Sequence, residues 1–224
     1  MSEVPSVPWR PYPALTDDQR IAASRSAYER LATRRSCRAF SAQPVPREVI
    51  EWAIRAAGTA PSGANHQPWH FAVVESSAVK AQIRAGAEAE EREFYAGKAG
   101  TEWLRALAPL GTDADKAYLE IAPWLIVIFG QRRGGIDPGH DFQNYYVTES
   151  VGIATGLLLA ALHEAGIATL THTPNPMKFL NAVCARPESE KPVMIVALGH
   201  PAPDAVVPQH ALRKKPLSDI ASWL

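Results

Sequence analysis

Cysteine is nearly missing from this chain: Cys37 and Cys184 are the two among 224 residues. So few thiols give no disulfide scaffold, and a reducing compartment is the easier home. Neither sign of charge dominates, because 23 Lys and Arg are balanced by 23 Asp and Glu. That balance argues against the basic face that non-specific nucleic-acid binding needs. Long apolar runs are absent too; the most apolar helical stretch, Val151–Leu162, is too short to span a membrane. The opening residues, MSEVPSVPWRPYPALTDDQR, lack the charged start and apolar core of a secretion signal. A soluble, cytoplasmic protein without nucleic-acid or membrane partners is expected.

Metal ligands and nucleophiles are equally scarce. His66 and His70 are four apart, but Pro68 between them forbids the helix that would align them. The remaining histidines have no ligand-like spacing, so no metal site is expected. No serine stands in a G-x-S-x-G elbow, and both G-x-G-x-x-G and G-x-x-x-x-G-K are missing. Any phosphate must therefore be held by side chains. Cys37 lies beside Arg35 and Arg38, charges that would lower its pKa, yet a buried structural thiol is the stronger reading.

What is present concentrates in a few stretches. The basic run Arg34–Arg38, RRSCR, supplies cations and the Ser36 hydroxyl, which suit a phosphate, although a solvated basic helix end has the same composition. Ala60–Asn65, APSGAN, is a turn by composition, set between an amphipathic helix and a strand. Such a turn brings backbone N–H groups close to an anion or a flat ligand. Glu91 and Tyr95 share one helical face, and Lys116 opens the next helical piece. Together they would suit a zwitterionic ligand, but Glu88, Glu90 and Glu93 are equally available and nothing local selects Glu91.

In chain order, 1–14 reads as an extended arm. Thr16 with Gln19 forms a capping box for a helix to about Thr33, and Pro46 opens a helix with an apolar stripe at Val49, Ile50, Ala53, Ile54 and Ala57. Buried strands are expected at Trp69–Val74, Trp124–Phe129, Ile167–Thr173 and Val193–Leu198. A long helix covers Ala78–Tyr95, and an irregular interval from Ala96 to Asp115 could fold over a site as a lid. The helix Tyr145–His163 is apolar all round, which predicts a central helix covered on every side, in part at a subunit interface. A proline-punctuated tail carrying Leu212, Leu217, Ile220 and Trp223 should pack along another subunit. Strands separated by helices indicate an α+β, three-layer arrangement. The expected division is an arm at 1–14, a main domain at 15–198 with a lid at about 92–116, and an extension at 199–224.

RRSCRAF followed by VPREVIEWAIRAAGTAPSGANHQPWHFAVV resembles the nitroreductase superfamily of FMN flavoproteins, and within it the iodotyrosine deiodinases. The likeness runs from about Leu31 to the C-terminus. It implies a nitroreductase-like fold, a central, mostly antiparallel sheet flanked by helices, in a domain-swapped homodimer whose active sites are shared between subunits. It implies FMN held by Arg34, Arg35, Ser36 and Arg38, by Pro61, Ser62 and Gly63 from the second subunit, by Thr171, His172 and Thr173, and by Lys214 in RKKP. Thr173 corresponds to the threonine whose hydroxyl reaches the flavin N5. Glu91, Tyr95 and Lys116 (in KAYL) match the residues that clasp the amino-acid end of a halotyrosine, and the Ala64 N–H matches the contact to its phenolate. The implied activity is reductive dehalogenation of halotyrosines through the flavin semiquinone, with electrons from a separate reductase. An NAD(P)H-dependent nitroreductase or quinone reductase is the alternative. His172 stands where the vertebrate enzymes have threonine, and their membrane anchor has no counterpart here, so a soluble bacterial homologue is expected.

Overall fold

The computed structural model describes residues 4–9 and 14–224. Two compact units divide the chain after Arg34. In the first, residues 4–9 are irregular and exposed; the rest of the expected arm, apart from the exposed, irregular Ala14, lies outside the described residues. Helix α1 spans Asp17–Ala32. Its capping box forms as the sequence predicts: the Gln19 N–H donates to Thr16 Oγ1 at 3.3 Å, and the Thr16 N–H donates to Gln19 Oε1 at 2.9 Å.

The second unit is three-layered. Helix α2 (Arg47–Gly58) leads through a short turn to β1 (Trp69–Val74) and α3 (Ser77–Glu93). A π-turn, Phe94–Lys98, then joins α3 to α4 (Gly100–Leu107), and α5 (Tyr118–Ile121) precedes β2 (Trp124–Gln131). A two-stranded ribbon, β3 (Arg133–Gly134) with β4 (Phe142–Gln143), opens α6 (Val147–Glu164). The chain continues through β5 (Ala168–His172), α7 (Phe179–Val183), β6 (Glu190–Gly199) and the short α8 (Gln209–Leu212).

The main sheet runs β1-β2-β6-β5, antiparallel throughout. Alternation along β2 builds a core on each face. Leu125, Val127 and Phe129 pack with Ile83, Ala87 and Leu119 under α3 and α5. Ile126 and Ile128 pack with Ile50, Ala53, Val151 and Leu158 under α2 and α6. Because β2 is central, it is buried on both faces and reads as the continuous run WLIVIF.

Two expectations are corrected here. The first is that β1 is an edge strand, mostly half-buried rather than buried; an apolar run does not reveal its place in a sheet. Second, the irregular interval contains α4, set between Gly97, Gly100 and Gly111 at φ 132°, 73° and 63°. These glycines end the flanking turns at left-handed φ values that L side chains rarely adopt. Within one chain α6 leaves Ile153 and Leu157 exposed, while Val151, Leu158 and Leu162 are buried. One of its faces has no partner element among the described residues. Leu212, Leu217, Ile220 and Trp223 of the tail are likewise exposed. No helix among the described residues is long and apolar enough to cross a membrane.

Candidate active site

The outer edge of β5 receives the basic run. Ser36 forms a parallel bridge to Thr169, and the Cys37 N–H donates to the Thr169 carbonyl at 3.0 Å. This non-local pairing lays Arg35–Arg38 alongside the strand that ends in Thr171 and His172. Cys37 is buried, and its thiol donates to the Ala39 carbonyl at 3.1 Å. Burial pushes its pKa up, outweighing the Ala39 hydrogen bond and the nearby Arg38 charge, as the structural reading of this thiol expects. Thr171 and Thr173 are exposed while His172, between them, is buried, as alternation along a strand gives.

A cavity of about 320 Å³ opens above this edge. Arg38 and Leu170–Thr173 line it on the β5 side, Glu90, Glu91 and Tyr95 on another, Thr112, Asp113, Asp115, Lys116 and Tyr118 on a third, with Trp103 and Leu107 of α4. The ambiguity among the glutamates of α3 is resolved by their neighbours. Arg84 takes Glu88 at 2.6 Å, and Lys98 lies 3.2 Å from Glu93 and 4.0 Å from Glu90. Glu90 and Glu91 both line the cavity, and of these Glu91 is the one that pairs with the Lys116 ammonium, Oε2 3.3 Å from Nζ.

Lys116 is buried; its ammonium also donates to the Asp113 carbonyl and sits 5.6 Å from the Tyr95 ring centroid. Tyr95 donates its hydroxyl proton to Thr112 Oγ1 at 2.8 Å. Burial raises the Tyr95 pKa, so the phenol keeps its proton at neutral pH. The segment carrying Lys116 is fastened to α3: the Lys116 N–H donates to Glu88 Oε1 at 2.9 Å, and Arg84 pairs with Asp115 at 3.1 Å.

His172 closes the inner end. Its Nε2 is 3.9 Å from Glu91 Oε1, and its ring meets Tyr118 edge-on at 6.0 Å. Burial and the Lys116 charge bring its pKa down to about 3, so it is neutral and makes no ion pair with Glu91. Burial also raises the Tyr118 pKa.

The remaining sequence-predicted residues lie elsewhere. Pro61, Ser62, Gly63 and Ala64 do not line this cavity. Their turn is pinned near the start of α6, where a Cβ on Gly63 would lie 2.8 Å from the Tyr145 carbonyl oxygen. Ser62 Oγ accepts the Gln67 N–H at 2.9 Å, and Ala64, Asn65 and Gln67 take φ values of 51°, 56° and 51°. So much positive φ outside glycine stores strain of the kind found at binding turns. Lys214 is exposed, with Nζ 3.3 Å from the Ala211 carbonyl, and Arg34 closes the first unit. Sequence reasoning missed Thr112, the Asp113 carbonyl and Tyr118. Only Tyr118, in KAYL, carried a local signal.

The donor set fits an anionic flavin mononucleotide. Arg35, Arg38 and the Ser36 hydroxyl suit a phosphate or an electron-rich ring edge, and the Thr171 and Thr173 hydroxyls donate or accept beside them. Among the described residues no group of three or more His, Cys, Asp or Glu side chains is placed to hold a metal ion.

This chain belongs to the Nitroreductase family, whose model matches residues 31–200. Within it the relatives are iodotyrosine deiodinases. The chain is 49% identical to the iodotyrosine deiodinase of Haliscomenobacter hydrossis over 191 residues, covering 85% of this chain and 86% of that one. It is 43% identical to the Homo sapiens iodotyrosine deiodinase 1 over 205 residues, covering 91% and 70%. Its structure superposes on oxidized iodotyrosine deiodinase bound to FMN and 3-iodo-L-tyrosine with a TM-score of 0.68, at 30% identity, over 79% of this chain and 90% of that one.

Proposed function

We propose that the protein is an FMN-dependent halotyrosine dehalogenase. The observation that carries this reading is the buried Glu91–Lys116 pair with Tyr95, facing into a cavity lined by the β5 edge. A nitroarene or quinone offers acceptors to the Lys116 ammonium and the Tyr95 phenol but nothing to the Glu91 carboxylate. An α-amino acid offers a complement to each. The relatives named iodotyrosine deiodinase support the same reading.

Glu91 accepts hydrogen bonds from the substrate ammonium, while Lys116 and Tyr95 donate to its carboxylate. Before substrate arrives these groups are held against one another, so binding exchanges the Glu91–Lys116 contact for two contacts to ligand. Residues 92–116 act as the lid, with Trp103 and Leu107 excluding water from the closed site. Arg34, Arg35, Ser36, Arg38 and Lys214 hold the FMN phosphate and ring edge, and Thr171, His172 and Thr173 line the flavin. As a lysine, Lys214 gives charge without the bidentate fork of an arginine. FMN, when bound, supplies the reducing electrons. In the net reaction the carbon–halogen bond breaks, the ring carbon gains a proton and two electrons, and halide and tyrosine leave.

A homodimer completes the site. The turn Pro61–Ala64 lies away from the cavity of its own chain, and the exposed face of α6 and the apolar tail offer surface for a second copy. In that assembly the Ala64 N–H of a second copy meets the substrate phenolate. A separate cytoplasmic reductase delivers the electrons.

The test is anaerobic turnover of the FMN-loaded protein with dithionite and 3-iodotyrosine, following iodide and tyrosine. Stoichiometric iodide release, with slow direct oxidation of NAD(P)H, is the expected result. Rapid NAD(P)H-driven reduction of nitroarenes without iodide release would overturn the reading.

A further inference from the structure

We propose that His172 is a positioning residue for Glu91: its neutral ring donates from Nε2–H to the Glu91 carboxylate once substrate draws Lys116 away. The inference rests on the amino-acid-clasp reading above. Its starting point is an anomaly at the inner end of the cavity. His172 Nε2 is fully buried and has no hydrogen-bond partner, a condition folded proteins rarely tolerate without a use for the group. Glu91 Oε1 lies 3.9 Å away, too far for a bond but closable by a modest rotation of the glutamate. What holds Glu91 off is its other oxygen, engaged by Lys116 at 3.3 Å.

Entry of a zwitterion breaks that engagement, because the ligand carboxylate competes for the Lys116 ammonium. Glu91 then has one oxygen for the ligand ammonium and one without its former counter-charge. The buried ring lies where it can occupy the second oxygen and fix the plane of the first. Three groups face the ring: Glu91 from α3, Lys116 from the segment before α5, and Tyr118 from α5, which packs edge-on and holds the ring in place. Burial and Lys116 keep the imidazole neutral, so it enters as a dipole and leaves the Glu91 charge for the ligand. His172 thus favours ligands with a free ammonium over halophenols that lack one.

The experiment measures Kd by quenching of bound-flavin fluorescence in the oxidized holoprotein, with 3-iodotyrosine and with 2-iodophenol. His172→Phe keeps a ring against Tyr118 and deletes the donor; His172→Gln restores a neutral N–H at a comparable reach. A hydrogen bond to a charged group sets the scale. The preference for 3-iodotyrosine over 2-iodophenol should fall about tenfold in His172→Phe and recover to within about threefold of wild type in His172→Gln. A preference that stays within about twofold of wild type in His172→Phe overturns the proposal. So does an equal fall in both variants, which would show that ring volume matters and the donor does not. If wild type fails to bind 3-iodotyrosine at all, the clasp reading falls and this inference falls with it; the wild-type arm therefore separates the two failures.

Discussion

Replacing Glu91 by Gln separates what the Glu91–Lys116 pair contributes to the fold from what it contributes to binding. The Lys116 and Glu91 side chains are 6% and 13% exposed and 3.3 Å apart, so the Lys116 ammonium would be left in a dry site without its carboxylate. Removing one partner of a buried pair costs about 3–5 kcal/mol. Lys116 keeps the Asp113 carbonyl and the Tyr95 ring, which places this case near the lower figure. For a chain of this size a loss of about 3 kcal/mol lowers Tm by roughly 6–12 °C. Halotyrosine affinity should fall by about 10- to 150-fold, the worth of one hydrogen bond to a charged acceptor. Adding Lys116→Met removes the stranded charge. The double variant should regain at least half of the lost stability while binding 3-iodotyrosine no better than the single one. Thermal melts and flavin-quenching titrations of wild type, both single variants and the double variant form a closed cycle. A double variant that melts at or below Glu91→Gln would show that the two charges are not coupled, and the clasp as described would be wrong.

Two further outcomes are expected, the first from the proposed function and the second from the geometry. Thr173→Ala should retain bound FMN but lower the rate of iodide release by about tenfold or more, with Thr173→Ser close to wild type; stopped-flow iodide release with matched flavin loading measures this. The second concerns acid. The folded pKa of His172 is depressed to about 3, so between there and its ordinary value near 6.5 the unfolded chain binds the extra proton. Stability from this group is therefore full above about pH 6.5 and is lost as pH falls, by up to about 1.4 kcal/mol per unit. Across that window Tm should decline more steeply for wild type than for His172→Gln, and parallel curves would refute the buried neutral imidazole.

The strands were legible because their signal is local. WHFAVV is β1 to the residue, and WLIVIF lies within β2, which continues two residues further. Sequence could not show which strand is central, since that depends on pairings between distant segments. What covers α6 was not legible for a related reason: an apolar circumference shows what a helix would prefer to touch, and one chain need not supply it. Helix α4 was hidden by its bracketing glycines, which punctuate the segment as a loop would although EWLRAL between them winds regularly. The clasp was half legible. Spacing put Glu91 and Tyr95 on one face, but choosing Glu91 over its neighbours required knowing that Arg84 and Lys98 occupy the others. The bridge from Ser36 to Thr169, which brings the basic run to the site, spans too much chain for any local pattern to announce it.

The left-handed glycines at 97, 100 and 111 have a consequence for how such a protein can change over generations. They join the segment carrying Trp103 and Leu107 to the rest of the chain at joints that need no packing to hold their angles. The sheet and its basic edge are built from strands whose residues interlock on both faces, where one altered volume disturbs many neighbours. On the proposed function, the piece that would roof the ligand is thus joined almost independently of the piece that would carry the flavin. New ligand preferences can accumulate in the jointed segment while the reducing platform beneath it stays as it was.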